Sequence, residues 1–162
     1  MKKFITILLA VLMLMSVIGC SANNGGETAE TIVIEGTLEE LIEKLYANID
    51  PEQMPAVGSV PVTKDDIGYF TGVADLDFKE AMASEAMISA IAHSVVLVRM
   101  NEGADIEEAK KQIEANADPR KWICVEAEKV IVDNLGDLVI LIMSNEATAD
   151  SVHASFKALA EK

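Results

Sequence analysis

Histidine and cysteine are scarce in this chain, which contains only two of each among its 162 residues. His93 and His153 are far apart, and neither a His-Glu-x-x-His nor a Cys-x-x-Cys spacing occurs. Metal sites and many nucleophilic active sites need such clusters. There is no Gly-rich phosphate-binding loop either. The motifs therefore predict no metal, no cofactor and no catalytic site.

Basic residues are also few, with 13 Lys and Arg against 27 Asp and Glu. Nucleic-acid binding requires basic patches, so we predict no nucleic-acid partner. An acidic surface could instead attract cationic ligands or Ca²⁺. The acids at 65, 66, 75 and 77, however, lack the spacing of a Ca²⁺-binding loop. We expect them to be solvated loop residues and helix caps.

The first nineteen residues have the layout of a secretory signal. Lys2 and Lys3 give a positive start, and an apolar stretch runs from 4 to 18, interrupted only by Thr6 and Ser16. A transmembrane helix needs about 20 apolar residues, and this run is shorter. The pattern therefore favours a signal peptide over an uncleaved membrane span.

The signal ends in Val17-Ile18-Gly19-Cys20, which resembles the bacterial lipobox. The resemblance implies that the Cys20 thiol receives a diacylglyceryl group and that the chain is cut after Gly19. Two acyl chains anchor a protein stably, whereas one anchors only marginally. We therefore expect a lipid-anchored protein at the outer face of the cell membrane, with the membrane itself as one partner.

Removing 19 residues leaves 143 of the 162, the size of one domain. The signal carries two lysines and no acid, so the mature part has 11 basic and 27 acidic residues, a net charge of −16. Residues 20–36 are mostly small and polar and are predicted to be a flexible tether, although 31–34 could form an edge strand. Residues 37–162 are predicted to form one domain.

Three amphipathic helices are predicted. Thr37-x-x-Glu40 has the form of a capping box, and the apolar spacing that follows indicates a helix that ends before Pro51. Asp105 begins a second helix that ends between 116 and 119. Asn145 or Thr148 begins a C-terminal helix whose apolar face carries Val152, Phe156 and Leu159.

Strands are predicted at 94–100 and in two apolar runs, 130–132 and 138–143, that a turn-forming cluster joins into an antiparallel hairpin. The second run is apolar on both faces, which is typical of a central strand. Residues 50–62, with three prolines, are interpreted as a loop, and 78–92 as helix first and strand later. The fold class is therefore α+β, an antiparallel or mixed sheet with helices packed against it.

Three segments, 92–99, 118–125 and 136–139, give the chain a resemblance to an uncharacterised family of small lipoproteins from Gram-positive anaerobes. The similarity spans roughly 37–144, and the signal and lipobox agree with it. The resemblance implies an extracytoplasmic lipoprotein. The family has no known activity, so it assigns no role to any residue.

Two stretches are candidates for a site. Arg120, Lys121 and Trp122 could form a basic-aromatic patch that binds an anion or a sugar, or Trp122 could begin a core strand while the two cations pair with local acids. Cys124 has no partner if Cys20 carries lipid. It could be a reactive thiol, but its apolar neighbours favour a buried, inert cysteine.

His93 and Ser94 are adjacent, but neighbours in a strand point to opposite faces of the sheet, which argues against a shared active site. The sequence therefore predicts a membrane-anchored, non-enzymatic binding or interaction module whose partner is an envelope protein or a small ligand. The alternative is an envelope enzyme or enzyme inhibitor with an unrecognised site around His93 or Cys124.

Overall fold

The computed structural model describes residues 33–161. In chain order the elements are α1 (Leu38–Tyr46), a 3₁₀ turn (Pro51–Gln53), β1 (Val57–Val62), α2 (Ile67–Thr71), β2 (Phe78–Ala86), β3 (Ser94–Met100), α3 (Ile106–Asn116), β4 (Lys129–Leu135), β5 (Leu138–Ser144) and α4 (Glu146–Ala158). The described residues form one compact unit.

The five strands form one antiparallel sheet in the order β1-β2-β3-β5-β4. Helices pack on both faces, so the predicted α+β class is confirmed. The hairpin of β4 and β5 turns at Gly136, as the turn-forming cluster predicts; its φ of 58° suits a residue without a Cβ.

The centre of the sheet is buried on both sides. Every residue of β3 and β5 is buried, so both strands are central, as predicted for β5. Val95, Leu97, Ile140 and Ile142 pack on one face in a core with α1 and α4. The alternate residues of the same strands pack on the other face in a core with α2 and α3. A sheet covered on both faces explains why these strands are continuously apolar.

Each long helix begins at a residue whose side chain accepts a backbone hydrogen bond. Thr37 and Glu40 form the predicted capping box, with bonds of 3.1 and 3.2 Å. Asp105 caps α3 and Asn145 caps α4. These caps satisfy N–H groups that a helix start would otherwise leave unpaired, and they confirm all three predicted helix starts.

The prediction of a loop at 50–62 is wrong for its second half, because residues 57–62 form β1. The strand lies at the edge of the sheet, where proline is tolerated because one side of the backbone needs no partner. Pro61 lies opposite Met82 in this strand. Most of β1 is exposed, so it lacks the apolar alternation by which strands are recognised.

The prediction for 78–92, helix first and strand later, is wrong for both parts. Its first part is the nine-residue strand β2, and residues 87–93 form the connection to β3 rather than a strand. The strand contains three alanines and a serine where β-branched residues are usual. Pairing with β1 and β3 on its two sides decides the conformation against local preference.

The chain enters the fold at Ile34, which is buried although it lies within the predicted tether. The backbone carbonyls of Ile34 and Gly36 accept hydrogen bonds from Arg99, at the end of β3. Residues 33 and 34 belong to no strand. The signal peptide, with Gly19, and the predicted tether from Cys20 to residue 32 lie outside the described residues. Between 33 and 161, no helix has the length and apolarity needed to cross a membrane.

Candidate functional site

Arg120, the first residue of the predicted patch, is engaged by a local acid. Its side chain is exposed and its Nε lies 2.9 Å from Glu126 Oε2. The backbone N–H of Arg120 donates to Asp118. The backbone of Arg120 therefore closes a turn on the surface, and the carboxylate of Glu126 balances the charge of its side chain.

Lys121 points inward, with a side chain only 5 % exposed. Its Nζ donates to Glu85 Oε1 at 2.8 Å and to Ser94 Oγ at 3.0 Å. The rings of Tyr69, Phe70 and Trp122 lie 5.1–5.3 Å from the same nitrogen, within the range of cation–π contacts. Burial lowers the pKa of Lys121, against the opposing effect of Glu85.

These contacts agree with the structural interpretation of the stretch only in part, because Arg120 pairs with a local acid but Lys121 pairs with a distant one and Trp122 begins no strand. Trp122 is partly buried and packs on the core beneath α3, while Lys121 ties the segment to β2 and β3. The three side chains do not form one basic-aromatic surface. An acid from β2, far away in sequence, holds Lys121 in place, and this pairing has no signal in the sequence.

Cys124 is exposed, so the prediction of a buried, inert cysteine is wrong. Residues 122–124 form a bend rather than a strand, and Ile123 is 91 % exposed. The apolar triplet at 123–125 resembled a core strand, but α3 and β4 are joined here by a surface connection that leaves no neighbouring strand to pair with.

His93 is buried on the opposite side of the sheet from Lys121. Its Nε2 lies 3.1 Å from Tyr46 Oη and its Nδ1 lies 3.0 Å from Ser144 Oγ. Burial lowers the pKa of His93 to about 4 and raises that of Tyr46. Ser94 instead donates to Glu85. The adjacent His93 and Ser94 therefore serve separate networks, as the strand geometry predicts.

Several exposed apolar side chains lie where β2 passes to β3. Met87, Ile88 and Ile91 are 72, 57 and 37 % exposed, and Ile123 is exposed close to Lys121. We call these four side chains the apolar end. Residues 87–92 contain no charged side chain, and backbone bonds from Met87 to Ala56 and from Ile91 to Ile88 fix the connection.

The apolar end and the chain entry lie at opposite ends of β3. Ile91 precedes its first residue, whereas Ile34 is bonded to Arg99, the residue before its last. A strand of seven residues spans about 20 Å. The apolar end therefore projects from the side of the domain remote from Ile34.

At the entry end, a groove of about 480 Å³ lies between the start of α1 and the strands β1 and β2. Apolar side chains, among them Leu38, Phe78 and Met82, line it together with Lys64 and Lys79. Its volume falls in the range of small-molecule sites. Neither the groove nor the apolar end was predicted, because both depend on β1 and β2, the elements that the sequence pattern assigned wrongly.

In the region 33–161, no three His, Cys, Asp or Glu side chains come together as a group that could hold a metal ion. Of the four loop acids, Asp66 starts α2 and accepts from Thr63 at 2.6 Å, and Asp77 accepts from Asn101 at 2.7 Å. These two acids therefore organise the loops that carry them.

Comparison with known proteins finds no match to the chain among family models, curated proteins or solved structures.

Proposed function

We propose that this protein is a lipoprotein held at the outer face of the cell membrane by a diacylglyceryl group on Cys20, and that it acts there as a non-enzymatic interaction module. The observation that carries the proposal is the apolar end, which is exposed and remote from the point where the chain enters the domain. In this account the anchor fixes the location, and the apolar end contacts a partner in the envelope.

The anchor is supported by the sequence of residues 1–20. A positive start, an apolar run too short for a membrane span, and the lipobox-like residues before Cys20 all favour lipidation. Two acyl chains would hold the protein stably. The residues before Ile34 would then link the membrane to the entry end of the domain and leave the apolar end pointing outward.

The exposure at the apolar end supports a binding role. Contiguous exposed apolar patches on small proteins commonly mark interaction sites. The chain has a net charge of −14, yet residues 87–92 contain no charged side chain. Exposure of more than half of both Met87 and Ile88 is therefore unusual for this protein. The backbone hydrogen bonds of Met87 and Ile91 hold this connection in one conformation. Such a preformed surface would lose little conformational freedom on binding a partner.

The charges around this surface indicate the chemistry of the partner. The cations at this end are each paired with an acid: Arg120 with Glu126, Lys121 with Glu85, and Lys129 with Asp150. Further acids, Glu52, Asp118 and Glu128, form no ion pair within 33–161. An acidic rim around an apolar centre favours an envelope protein with an apolar surface bordered by Lys and Arg.

Photo-cross-linking in intact cells tests this role. A photoreactive residue is placed at position 88 of the anchored chain and, as a control, at position 111 on the exposed side of α3. We expect a discrete product from position 88 alone, lost in Met87→Ser, whose cross-linked partner peptide is apolar and flanked by basic residues. Identical products from both positions, or a product that survives Met87→Ser, would contradict the proposal.

The alternative, an envelope enzyme or enzyme inhibitor, has one observation in its favour, the exposed Cys124. A nucleophilic thiol needs a neighbouring base or cation to activate it. His93 is turned away into its own network with Tyr46 and Ser144. Turnover that is abolished by Cys124→Ser would favour the enzyme over the interaction module.

A further inference from the structure

The strand β1 is an open edge of the sheet. It pairs with β2 on one side, and no other strand in the described part of the chain lies on its other side. Residues 58–61 of the strand are exposed. An uncovered edge presents unpaired backbone N–H and C=O groups, which are a template for another strand. The opposite edge, β4, instead carries Lys129 and Asp133, which form ion pairs with α4.

A single hydrogen bond shows which backbone groups of β1 point to the open side. The carbonyl of Ala56, just before the strand, accepts from the N–H of Met87, just after β2. Neighbouring residues of a strand direct their backbone groups to opposite sides, so the even-numbered residues of β1 bond to β2. The N–H and C=O groups of Val57 and Ser59 therefore point outward. No bond to another residue in 33–161 uses them.

Two prolines bound this edge symmetrically. Pro61 lies on the open side by the same alternation, where its missing N–H removes no bond to β2. Pro55 lies three residues before Gly58, and Pro61 lies three residues after it. The edge therefore offers two free N–H groups, one on each side of Gly58. We call residues 57–59 the free edge.

The free edge is complementary to itself. An antiparallel second copy in the register that sets Gly58 opposite Gly58 places Val57 opposite Ser59 on both sides of the two-fold axis. Each of these two pairs would exchange two N–H···O=C bonds, so every free N–H of the edge finds an acceptor. The prolines fall outside the paired residues. A contact in which one patch meets its own copy is the commonest form of oligomer interface.

The glycine and the absence of charge favour this contact. Gly58 would form a non-hydrogen-bonded pair, in which the opposing Cα atoms are only about 4.5 Å apart and side chains are closest. Residues 53–63 contain no charged side chain, and neither do residues 87–92. Met87 lies beside Gly58, since a Cβ built there would be 3.9 Å from its Cγ. In a chain with a net charge of −14, two copies approach with least repulsion through an uncharged surface.

We propose that two copies of this chain associate through β1, in antiparallel register about Gly58. The two five-stranded sheets then continue into each other. The two-fold axis is perpendicular to the sheet, so helices on one face of a copy lie on the same face as their counterparts. The contact uses backbone groups, and it requires neither the lipid anchor nor a partner at the apolar end. An anchor would raise the effective concentration of the two copies and favour the dimer.

Analytical ultracentrifugation of residues 20–162 with Cys20→Ser tests the dimer without an anchor. We expect a monomer–dimer equilibrium that shifts towards the dimer as the protein concentration rises. Ser59→Pro removes one free N–H from each copy, and with it half of the bonds between the copies. It should weaken dimerisation at least about tenfold. Ser59→Ala keeps the N–H and should leave dimerisation unchanged.

The fold should tolerate a proline at position 59 for the same reason that it tolerates Pro61, because no bond to β2 is lost. Circular dichroism at low concentration, where both chains are monomeric, checks that Ser59→Pro is folded. A wild type that stays monomeric at its highest soluble concentration would overturn the proposal. A dimer that persists in folded Ser59→Pro would overturn it as well.

Disulfide trapping tests the register and leaves the backbone bonds of β1 in place. In a chain with Cys20→Ser and Cys124→Ser, Gly58→Cys sets two thiols opposite each other at a Cα separation that a disulfide spans. Val60→Cys is the control. Val60 is 42 % exposed, but its two copies would be roughly 14 Å apart, beyond the reach of a disulfide. We expect a trapped dimer from Gly58→Cys alone, whereas equal yields would overturn the register.

Photo-cross-linking in intact cells distinguishes a second copy from another occupant of the free edge. A photoreactive residue at position 60 of the anchored chain is expected to give a product with the mass of two copies, lost in Ser59→Pro. A product that contains only a different protein would overturn the self-pairing. The partner at the apolar end is sought from position 88, so a failure here leaves the proposed function untouched.

Discussion

The Tyr46 hydroxyl lies 3.1 Å from His93 Nε2, inside the core that α1 forms with the sheet. Ser144 contacts the other ring nitrogen at 3.0 Å. Both nitrogens of a fully buried imidazole are thus satisfied while the ring is neutral, and burial lowers the pKa of His93 to about 4. The network joins α1, the residue that precedes β3, and the last residue of β5.

This burial predicts a loss of stability in acid. The pKa of His93 is about 4 in the folded state and about 6.5 when unfolded, so the unfolded chain binds the additional proton. The contribution is complete above pH 6.5, falls between pH 6.5 and 4, and amounts to about 3 kcal/mol. Urea unfolding at several pH values measures it.

The matched variants for this test are His93→Gln and His153→Gln. We expect His93→Gln to lower the stability at pH 7 but to flatten the slope between pH 6.5 and 4. His153→Gln, whose ring bonds to Asp133 outside the core, should keep the slope. An unchanged slope in His93→Gln would show that other groups cause the acid sensitivity.

The contact of Lys121 with Glu85 predicts that these two side chains contribute to stability with a large coupling energy. Lys121→Met leaves a carboxylate beside the core without its cation, so we expect it to lower the free energy of unfolding by about 2–3 kcal/mol. The double variant with Glu85→Gln should recover part of this loss, giving a coupling energy of about 1–2 kcal/mol. Chemical denaturation of the four chains measures the cycle.

Arg120 and Glu126 provide the comparison pair. Because both are exposed, the same cycle should give a coupling energy below about 1 kcal/mol. Equal coupling in the two pairs would mean that Lys121 is solvated in solution and does not tie the 118–124 segment to the sheet.

Two glycine-to-alanine substitutions, one of them a control, test the packing of α2 against α3. Gly72 ends α2 at φ 79°, and a Cβ there would collide with the backbone oxygen of Asn116. Gly72→Ala should therefore cost at least about 3 kcal/mol of unfolding free energy. A Cβ at Gly103, where φ is a similar 81°, would have no atom within 4 Å. Gly103→Ala should therefore lower the free energy of unfolding by about 1 kcal/mol, from backbone strain alone. Similar costs in thermal unfolding would contradict the close approach of the two helices.

The accessibility of Cys124 can be measured directly. In the chain with Cys20→Ser, Cys124 is the only thiol. Because Cys124 is already exposed in the folded protein, a reagent can reach it without unfolding. We therefore expect a disulfide reagent to label the native and the urea-unfolded protein at rates within about tenfold of each other. Labelling that occurs only on unfolding would restore the interpretation of a core thiol. Cys124→Ser supplies the background rate.

The parts of the fold that could be predicted are those in which local signals agree. Thr37 and Glu40 mark a helix start by their own hydrogen bonds, and the continuous apolar run of β5 marks a central strand. By contrast, β1 is an exposed edge with Pro61, and β2 is rich in alanine. Neighbouring strands impose their conformation, so no local pattern could reveal them.

The candidate surfaces were missed for the same reason. The position of Lys121 in the sequence gives no sign of its burial, because its partner, Glu85, belongs to β2, for which the sequence predicts a helix. The exposure of Ile123 follows from the absence of a strand beside it. The groove exists only where β1 and β2 meet α1, so its lining residues have no relationship in the sequence.

The central claim, an anchored module, is tested most directly by cell fractionation and intact mass. The protein is produced in a bacterial host beside a Cys20→Ala control. We expect the wild type in the membrane fraction with the mass of residues 20–162 plus a diacylglyceryl group, and we expect the control to lack both the membrane location and the added mass. Wild type in the cytoplasm with Met1 and the whole signal still present would contradict it, and would return Cys20 and Cys124 to consideration as functional thiols.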